Sequence, residues 1–423
     1  MASSVRAYTI AKLAVASRIF CILLSVLSVF GLTDIAERTS IVLSDLNLGS
    51  LSDIFVTAHA QWDSLHFLNI ATRGYDTVLA HAFLPGLPLM MRTLAAFIPF
   101  GLSDPVRNLA LMGFIFVNVS FILAAIGLYK LSCHVLNDES RSFRSTLFFI
   151  FTAASPFMSA LYNESPFAMF TFWGLYWLVA RNDFIRGSVL LSMGGLFRSN
   201  GILAIVFLVW FGVLRDRQNI IETILGSIAV YLPYHLYSTW SKNIYCEVVS
   251  PPDWCATDSI YGYVQKTFWR VFPFGYYRLR NIPQFLLMSP AFIVCMFALI
   301  YFFEDNSRRA LSKAIQSPYD TSVKTKVVSM VQFIKCVVFE SWETPYLGQL
   351  WILTLLTLFV ANVNILTRLV VSCPIYFWTA ERLTRESRRD SLVRSACGRL
   401  VFVAQMVFLV IGPIVHSAGY NWT

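Results

Sequence analysis

Charge is scarce in this chain: only 13% of its 423 residues are Asp, Glu, Lys or Arg, where soluble domains carry roughly 25%. With 57% hydrophobic and 15% aromatic residues and a mean hydropathy of +0.61, this deficit argues against a soluble protein and for a polytopic membrane protein. The sequence also lacks a Walker A loop, a G-x-G-x-x-G, an H-E-x-x-H and any Cys/His set at metal-ligand spacing. Nucleotide-dependent and zinc-dependent chemistry therefore have no support. Asp-x-Asp is missing too, so nothing is in place to hold a divalent ion against a sugar-nucleotide pyrophosphate. A donor with a single phosphate, needing no metal and no cofactor, fits better. Repeats, low-complexity tracts and a separable soluble domain are absent as well, so residues 1–423 read as one all-α bundle.

What is present is apolar helix. A hydrocarbon core of about 30 Å needs roughly 20 residues per span, and candidate spans fall at 11–33, 108–131, 145–162, 166–180, 220–240, 283–303, 345–361, 364–380 and 400–417. The stretch 187–214 is interrupted at Arg198-Ser199-Asn200-Gly201 and reads as two half-helices, which a membrane tolerates only where the backbone faces protein or a wet cavity. The net charge of +9 does not indicate nucleic-acid binding, because most Lys and Arg sit in short loops, where they set topology. Segment 84–100 contains Pro85, Pro88, Arg92 and Pro99. Treating it as interfacial or re-entrant places most of the basic residues on one, cytosolic, face. The opposite face then holds a first loop 34–107, the turn 163–165 and a second loop 241–282. The long first apolar stretch has no clear cleavage site, so it reads as an uncleaved helix rather than a signal peptide.

Of the eight cysteines, Cys21, Cys295, Cys336 and Cys373 stand isolated in apolar segments and read as buried thiols. Cys246 and Cys255 bracket a polar loop, where a short disulfide would imply an oxidising lumen.

The polar residues of the non-cytosolic face are the candidates for chemistry. Gln61-Trp62-Asp63 with His66 stands just past the first span, and a carboxylate there is costly unless used. Asp63 has two readings, a general base for a sugar hydroxyl or the N-cap of a helix over 64–72. Trp62 is a sugar-stacking platform or an interfacial anchor. His66 orients the acid, binds phosphate, or is a surface histidine. Arg73 and His81 meet an anionic donor or are plain surface residues. Glu164, in Asn163-Glu164-Ser165-Pro166, binds acceptor hydroxyls or an amine, or caps the helix begun by Pro166. Arg198 with Asn200 at the helix break suits a phosphate. Arg278 and Arg280 beside Tyr276-Tyr277 add phosphate contacts or are loop residues near the bilayer. Asn421-Trp422-Thr423 matches a glycosylation sequon, and the 381–399 run reads as a solvated cytosolic loop.

These motifs occur in one order along nearly the whole chain: Gln61-Trp62-Asp63, Arg73-Gly74-Tyr75, Phe83-Leu84-Pro85-Gly86-Leu87-Pro88, Asn163-Glu164-Ser165-Pro166, Phe197-Arg198-Ser199-Asn200-Gly201, Pro252-Asp253-Trp254-Cys255, Ile282-Pro283-Gln284-Phe285 and Ser372-Cys373-Pro374-Ile375. Each is weak alone, but the ordered set resembles the GPI mannosyltransferase 2 family. The resemblance implies a GT-C glycosyltransferase bundle with interfacial helices in its first luminal loop, in the endoplasmic reticulum membrane, with a luminal active site. It implies α1,6 transfer of the second mannose from dolichyl-phosphate mannose to a mannosyl-glucosaminyl-phosphatidylinositol lipid, with inversion and with Asp63 as base. It also raises a small membrane accessory subunit as a partner. Other readings remain: a different dolichyl-phosphate-sugar transferase, a multi-pass lipid transporter, or an inactive scaffold subunit.

Overall fold

The computed structural model describes residues 2–31, 51–98, 104–215, 220–248, 250–256, 259–315, 335, 340–386 and 392–420. Cys336, the sequon at Asn421, residues 34–50 of the first loop and parts of 304–344 and 381–399 lie outside the described residues; 381–386 and 392–399 are helical, with Glu381 buried, so the run is not the solvated loop its charges suggest.

All regular structure among the described residues is helical. The chain begins with α1 (Ala2–Gly31), then α2 (Leu51–His59), α3 (Asp63–Arg73) and α4 (Gly86–Phe97). The long α5 (Pro105–Leu136) starts at an Asp104 carboxylate that accepts from the Val106 amide, with Pro105 at N1, and ends at Asn137 in the left-handed region. Next come α6 (Glu139–Ile150), the short α7 (Ser155–Ser159), α8 (Glu164–Leu175), α9 (Phe184–Gly195) and α10 (Ala204–Val209). The remainder is α11 (Ile220–Cys246), α12 (Ile260–Trp269), α13 (Ile282–Ile315), α14 (Thr344–Phe359), α15 (Leu366–Val370), α16 (Pro374–Glu386) and α17 (Leu392–Ser417). By length and composition, Val5–Gly31, Pro105–Leu136, Leu279–Ser312 and Leu392–Ser417 are each long and apolar enough to cross a membrane. The chain is a multi-pass membrane protein. In the bundle α5 packs on α8, α8 on α9 and α9 on α11, while α1 lies between α5 and α17.

Two predicted spans are not continuous. Segment 145–162 is divided into α6 and α7 at 151–154, where Pro156 cannot supply a helical N–H. The freed backbone is served from α1. Ser17 Oγ donates to the Ile150 carbonyl at 2.8 Å, and Arg18 donates to the Ser155 carbonyl at 3.1 Å and to Ser155 Oγ at 2.8 Å. Arg18 is buried with its guanidinium 3.9 Å from the Phe121 ring centroid. This cation thus holds the break closed, since irregular backbone at membrane depth needs internal partners. Segment 364–380 is the second case, with helices Val363–Val370 and Pro374–Glu386 bent by 95° before Pro374.

The break inside 187–214 matches the sequence reading. α9 ends at Gly195, a 3-10 turn covers Ser199–Leu203, and α10 follows. A Cβ on Gly201 would stand 2.9 Å from the Gly195 Cα, so only glycine permits this crossing. α4 has 12 residues, about 18 Å of helix, and is too short to span. Its first residue, Gly86, donates to the Leu196 carbonyl at 2.9 Å. A Cβ there would approach that oxygen to 2.7 Å, so the start of α4 is seated directly on the helix break.

At the end of the bundle that holds the α5–α6 junction, the buried Glu381 meets Arg141, Arg144 and Arg385, and Arg382 meets Asp305. The start of α8, the 196–203 break, α3, α12 and α15 converge elsewhere, around one cavity.

Candidate active site

The cavity encloses about 470 Å³ and is lined by polar residues that include Asp63, Asn163, Glu164, Arg198, Asn200 and Arg368. Asp63 is the first residue of α3, and the cap position belongs to Trp62, which makes no side-chain cap bond. The N-cap reading of Asp63 is therefore replaced: its Oδ2 pairs with Arg368 Nη2 at 2.9 Å. Trp62 has φ 57° and ψ −124°, a conformation that strains any side chain with a Cβ. The corner it makes turns Asp63 toward the cavity.

Glu164 opens α8 and is fully buried. It does not cap the helix either. Its Oε1 accepts from Arg198 Nη1 at 2.5 Å and from Arg368 Nε at 2.7 Å. Removing a carboxylate from water costs several kcal/mol unless charge and hydrogen bonds compensate, and two arginines do so here. Arg198 also donates from Nε to Asn200 Oδ1 at 3.3 Å. The Arg368 guanidinium is stacked 4.8 Å from the Phe157 centroid and 4.9 Å from that of Tyr162. Tyr162 in turn lies 3.3 Å from His416 Nε2 through its hydroxyl. Two carboxylates and two arginines thus form one continuous chain, Asp63–Arg368–Glu164–Arg198. Neither Arg198 Nη2 nor Arg368 Nη1 makes a hydrogen bond among the described residues, and Glu164 Oε2, Asn163 Oδ1 and Asn200 Nδ2 are buried without a partner. A ligand with hydroxyls and an anionic group is matched by such a set.

The other sequence candidates lie off this lining. Gln61 is buried and donates to the Thr57 carbonyl at 2.8 Å. Trp62 and Arg73 are exposed. His66 stacks on Phe83 at 4.6 Å, and burial lowers its pKa against the opposing pull of Asp63. His81 is fully buried, packed 4.7 Å from Tyr75 and 5.4 Å from Tyr245, with its pKa pushed down to about 4 by burial. Arg278 is exposed and does not line the cavity. Cys246 and Cys255 are joined, with Cα atoms 5.7 Å apart. Among the described residues no three His, Cys, Asp or Glu side chains gather as a metal site would.

Arg368 was not anticipated from the sequence. Its signal was a single arginine in the apolar run Ile-Leu-Thr-Arg-Leu-Val-Val (365–371), and a charge inside such a run calls for a partner. Tyr261, Gln265 and Trp269 of α12, which also line the cavity, had no such signal.

A profile described as mannosyltransferase (PIG-V) matches residues 7–423. The chain belongs to the PIG-V mannosyltransferase family. It is accordingly a glycosyltransferase, and the cavity with its paired acids and arginines is the candidate active site of a PIG-V mannosyltransferase. Among its relatives is the GPI mannosyltransferase 2 of Cryptococcus neoformans, 25% identical over 350 residues that cover 76% of this chain and 77% of that one. The human GPI alpha-1,6-mannosyltransferase 2 is 27% identical over 381 residues, covering 79% and 74%. The Drosophila melanogaster GPI mannosyltransferase 2 is 24% identical over 469 residues, covering 98% and 99%. The archaeal oligosaccharyltransferase AglB from Archaeoglobus fulgidus, solved with an inhibitory peptide and a dolichol-phosphate, superposes with a TM-score of 0.44 at 11% identity, covering 96% of this chain and 56% of that one. That likeness is too slight to carry an argument about the site.

Proposed function

We propose that this mannosyltransferase moves mannose from dolichyl-phosphate mannose to O6 of the terminal mannose of a mannosyl-glucosaminyl-phosphatidylinositol lipid, at the luminal face of the endoplasmic reticulum membrane. The names of its relatives support the acceptor and the α1,6 linkage. The observation that carries the mechanism is Asp63 held by Arg368 at a cavity that also presents Arg198.

The acceptor O6–H gives its proton to the Asp63 carboxylate as O6 bonds to the anomeric carbon. The bond from that carbon to the dolichyl phosphate oxygen breaks on the opposite face, and its electron pair leaves with the phosphate. A β-linked donor then yields an α-linked product by single displacement. The free Nη2 of Arg198 and Nη1 of Arg368 are the donors for the charge that develops on the phosphate, so the arginines do the electrostatic work. Fixed donors of this kind cost no reorganisation during the step. Asn163 Oδ1, Glu164 Oε2 and Asn200 Nδ2 are available to sugar hydroxyls. The Cys246–Cys255 disulfide suits an oxidising lumen. A small accessory membrane subunit, which the family resemblance raises, belongs to this reading only as a possible requirement for activity in cells.

The test is a microsomal assay with defined acceptors, joined to rescue of cells lacking the second GPI mannose. Product from the one-mannose intermediate alone, and restored surface display of anchored protein, are expected. Transfer to a later GPI intermediate or to an N-glycan precursor would instead assign the chain to another dolichyl-phosphate-sugar reaction.

A further inference from the structure

The loop after α12 carries Arg270, Arg278 and Arg280, all exposed, with Arg278 in the field of the other two and Arg270 between the cavity-lining Trp269 and Val271; among the described residues no ion pair joins any of the three to a carboxylate. Their loop is fixed. Gly275 lies so close to Arg270 that a Cβ would stand 2.6 Å from the Arg270 carbonyl, the Phe274 amide donates to the Phe359 carbonyl at 2.6 Å, and Tyr276 Oη donates to Asn364 Oδ1 at 3.0 Å. Arg278 feels its neighbours: its pKa is lowered chiefly by Arg270, then by desolvation and by Arg280. Like charges held close without a counter-ion are unfavourable. Three on the face opposite the basic loops also run against the distribution that sets topology. Exposed Phe272, Phe274, Tyr277 and Leu279 share the loop, and aromatic residues of this kind seat a segment at headgroup depth.

Chemistry decides which phosphate such a cluster can serve. The donor phosphate is bonded to the reacting carbon, so it must sit inside the cavity, across that carbon from Asp63. None of the three arginines lines that cavity, whereas Trp269 and Val271, on either side of Arg270, do. The acceptor phosphate is separated from the reacting O6 by the mannose, glucosamine and inositol rings, which places it outside the cavity at the bilayer surface. We propose that Arg270, Arg278 and Arg280 form a clamp for the phosphodiester of the inositol-lipid acceptor, leaving the donor phosphate to Arg198 and Arg368. This rests on the acceptor class given under Proposed function. Guanidinium groups suit the role because they bind phosphate oxygens in pairs.

The experiment uses the full-length protein in neutral-lipid nanodiscs, wild type against Arg270→Gln/Arg278→Gln/Arg280→Gln. Two acceptors are compared, the mannosyl-glucosaminyl-phosphatidylinositol lipid and the same glycan on inositol without phosphate. The triple variant should raise KM for the phosphorylated acceptor at least about tenfold, leaving kcat, the KM for the phosphate-free acceptor and the KM for dolichyl-phosphate mannose unchanged. A rise confined to the donor KM, or no change in any constant, overturns the proposal. A second arm measures retention of phosphatidylinositol by the purified protein, which the triple variant should weaken; equal retention also overturns it. Loss of phosphatidylserine retention with no change in acceptor KM would assign the arginines to bulk lipid, against the proposal. If the wild type glycosylates neither acceptor, the acceptor reading fails, and the retention arm alone judges the clamp.

Discussion

Arg368 reaches Asp63 from the far end of the chain, Nη2 to Oδ2 at 2.9 Å, while its Nε holds Glu164 at 2.7 Å. One guanidinium therefore sets the spacing of the two cavity carboxylates. Because Phe157 and Tyr162 stack beside that guanidinium, it has little freedom to turn away, and the Asp63 carboxylate is aimed before substrate arrives. Such pre-alignment is worth orders of magnitude in rate.

Arg368→Lys keeps the positive charge but cannot span two acids with a planar fork. Transfer should fall about 10²-fold in microsomes normalised for protein, with the melting temperature lowered less than in Arg368→Gln. The neutral variant leaves the buried Glu164 short of a partner, a loss of about 3–5 kcal/mol. Wild-type turnover by the lysine variant would remove Arg368 from the catalytic arrangement.

Asp63→Asn is isosteric and takes away the proton acceptor. Turnover should drop 10²–10⁴-fold, the usual worth of a general base, while expression and donor binding stay intact. A variant that transfers mannose at nearly the wild-type rate would show that the proton goes elsewhere.

The sequence made part of this site legible and hid the rest, for identifiable reasons. Asp63, Glu164 and Arg198 stood out because each is a charge within or beside an apolar run, and the 198–201 break was visible in its Arg-Ser-Asn-Gly. Arg368 sat in a stretch whose hydropathy reads as one span, and hydropathy averages away both a lone arginine and a 95° bend before Pro374. The break at 151–154 was masked in the same way, because its compensation comes from Ser17 and Arg18 on a distant helix. Local pattern carries no record of such a partner.

His81 gives a pH signature. Its ordinary pKa is about 6.5 and burial depresses it to about 4, so between these values the unfolded chain binds a proton that the folded one refuses. Stability from this group is complete above about pH 6.5 and is lost as pH falls toward 4, by up to about 3 kcal/mol. His81→Phe should make thermal stability fall less steeply across that window, with the other buried histidines keeping a residual slope. An unchanged pH slope in the variant would mean that His81 is not the titrating group.

Trp62 holds its backbone at φ 57° and ψ −124°, which costs of order 1–3 kcal/mol for a residue with a Cβ. Trp62→Gly should therefore melt higher than Trp62→Ala, although both lose the same indole. The reverse order in a thermal-unfolding series would be incompatible with a strained corner at this position.

The Cys246–Cys255 bridge spans a sequence separation of 9, and a loop this short contributes about 2–3 kcal/mol. In Cys246→Ser the reduction-dependent gel shift should vanish and Cys255 should become alkylated in intact microsomes. Resistance of Cys255 to alkylation in that variant would place its sulfur with a different partner.

The chain Asp63–Arg368–Glu164–Arg198 sums to zero formal charge, and this has a consequence for the proposed reaction. These four side chains balance one another, so a monoanionic donor brings the total to −1. After transfer the phosphate holds one more negative charge and Asp63 has gained the proton, which leaves the total at −1. The chemical step is thus isoelectric within the cavity: a proton and an electron pair change hands, but no net charge enters or leaves a region where separating charge is expensive. The proton on Asp63 must still depart to water, and that toll falls on product release.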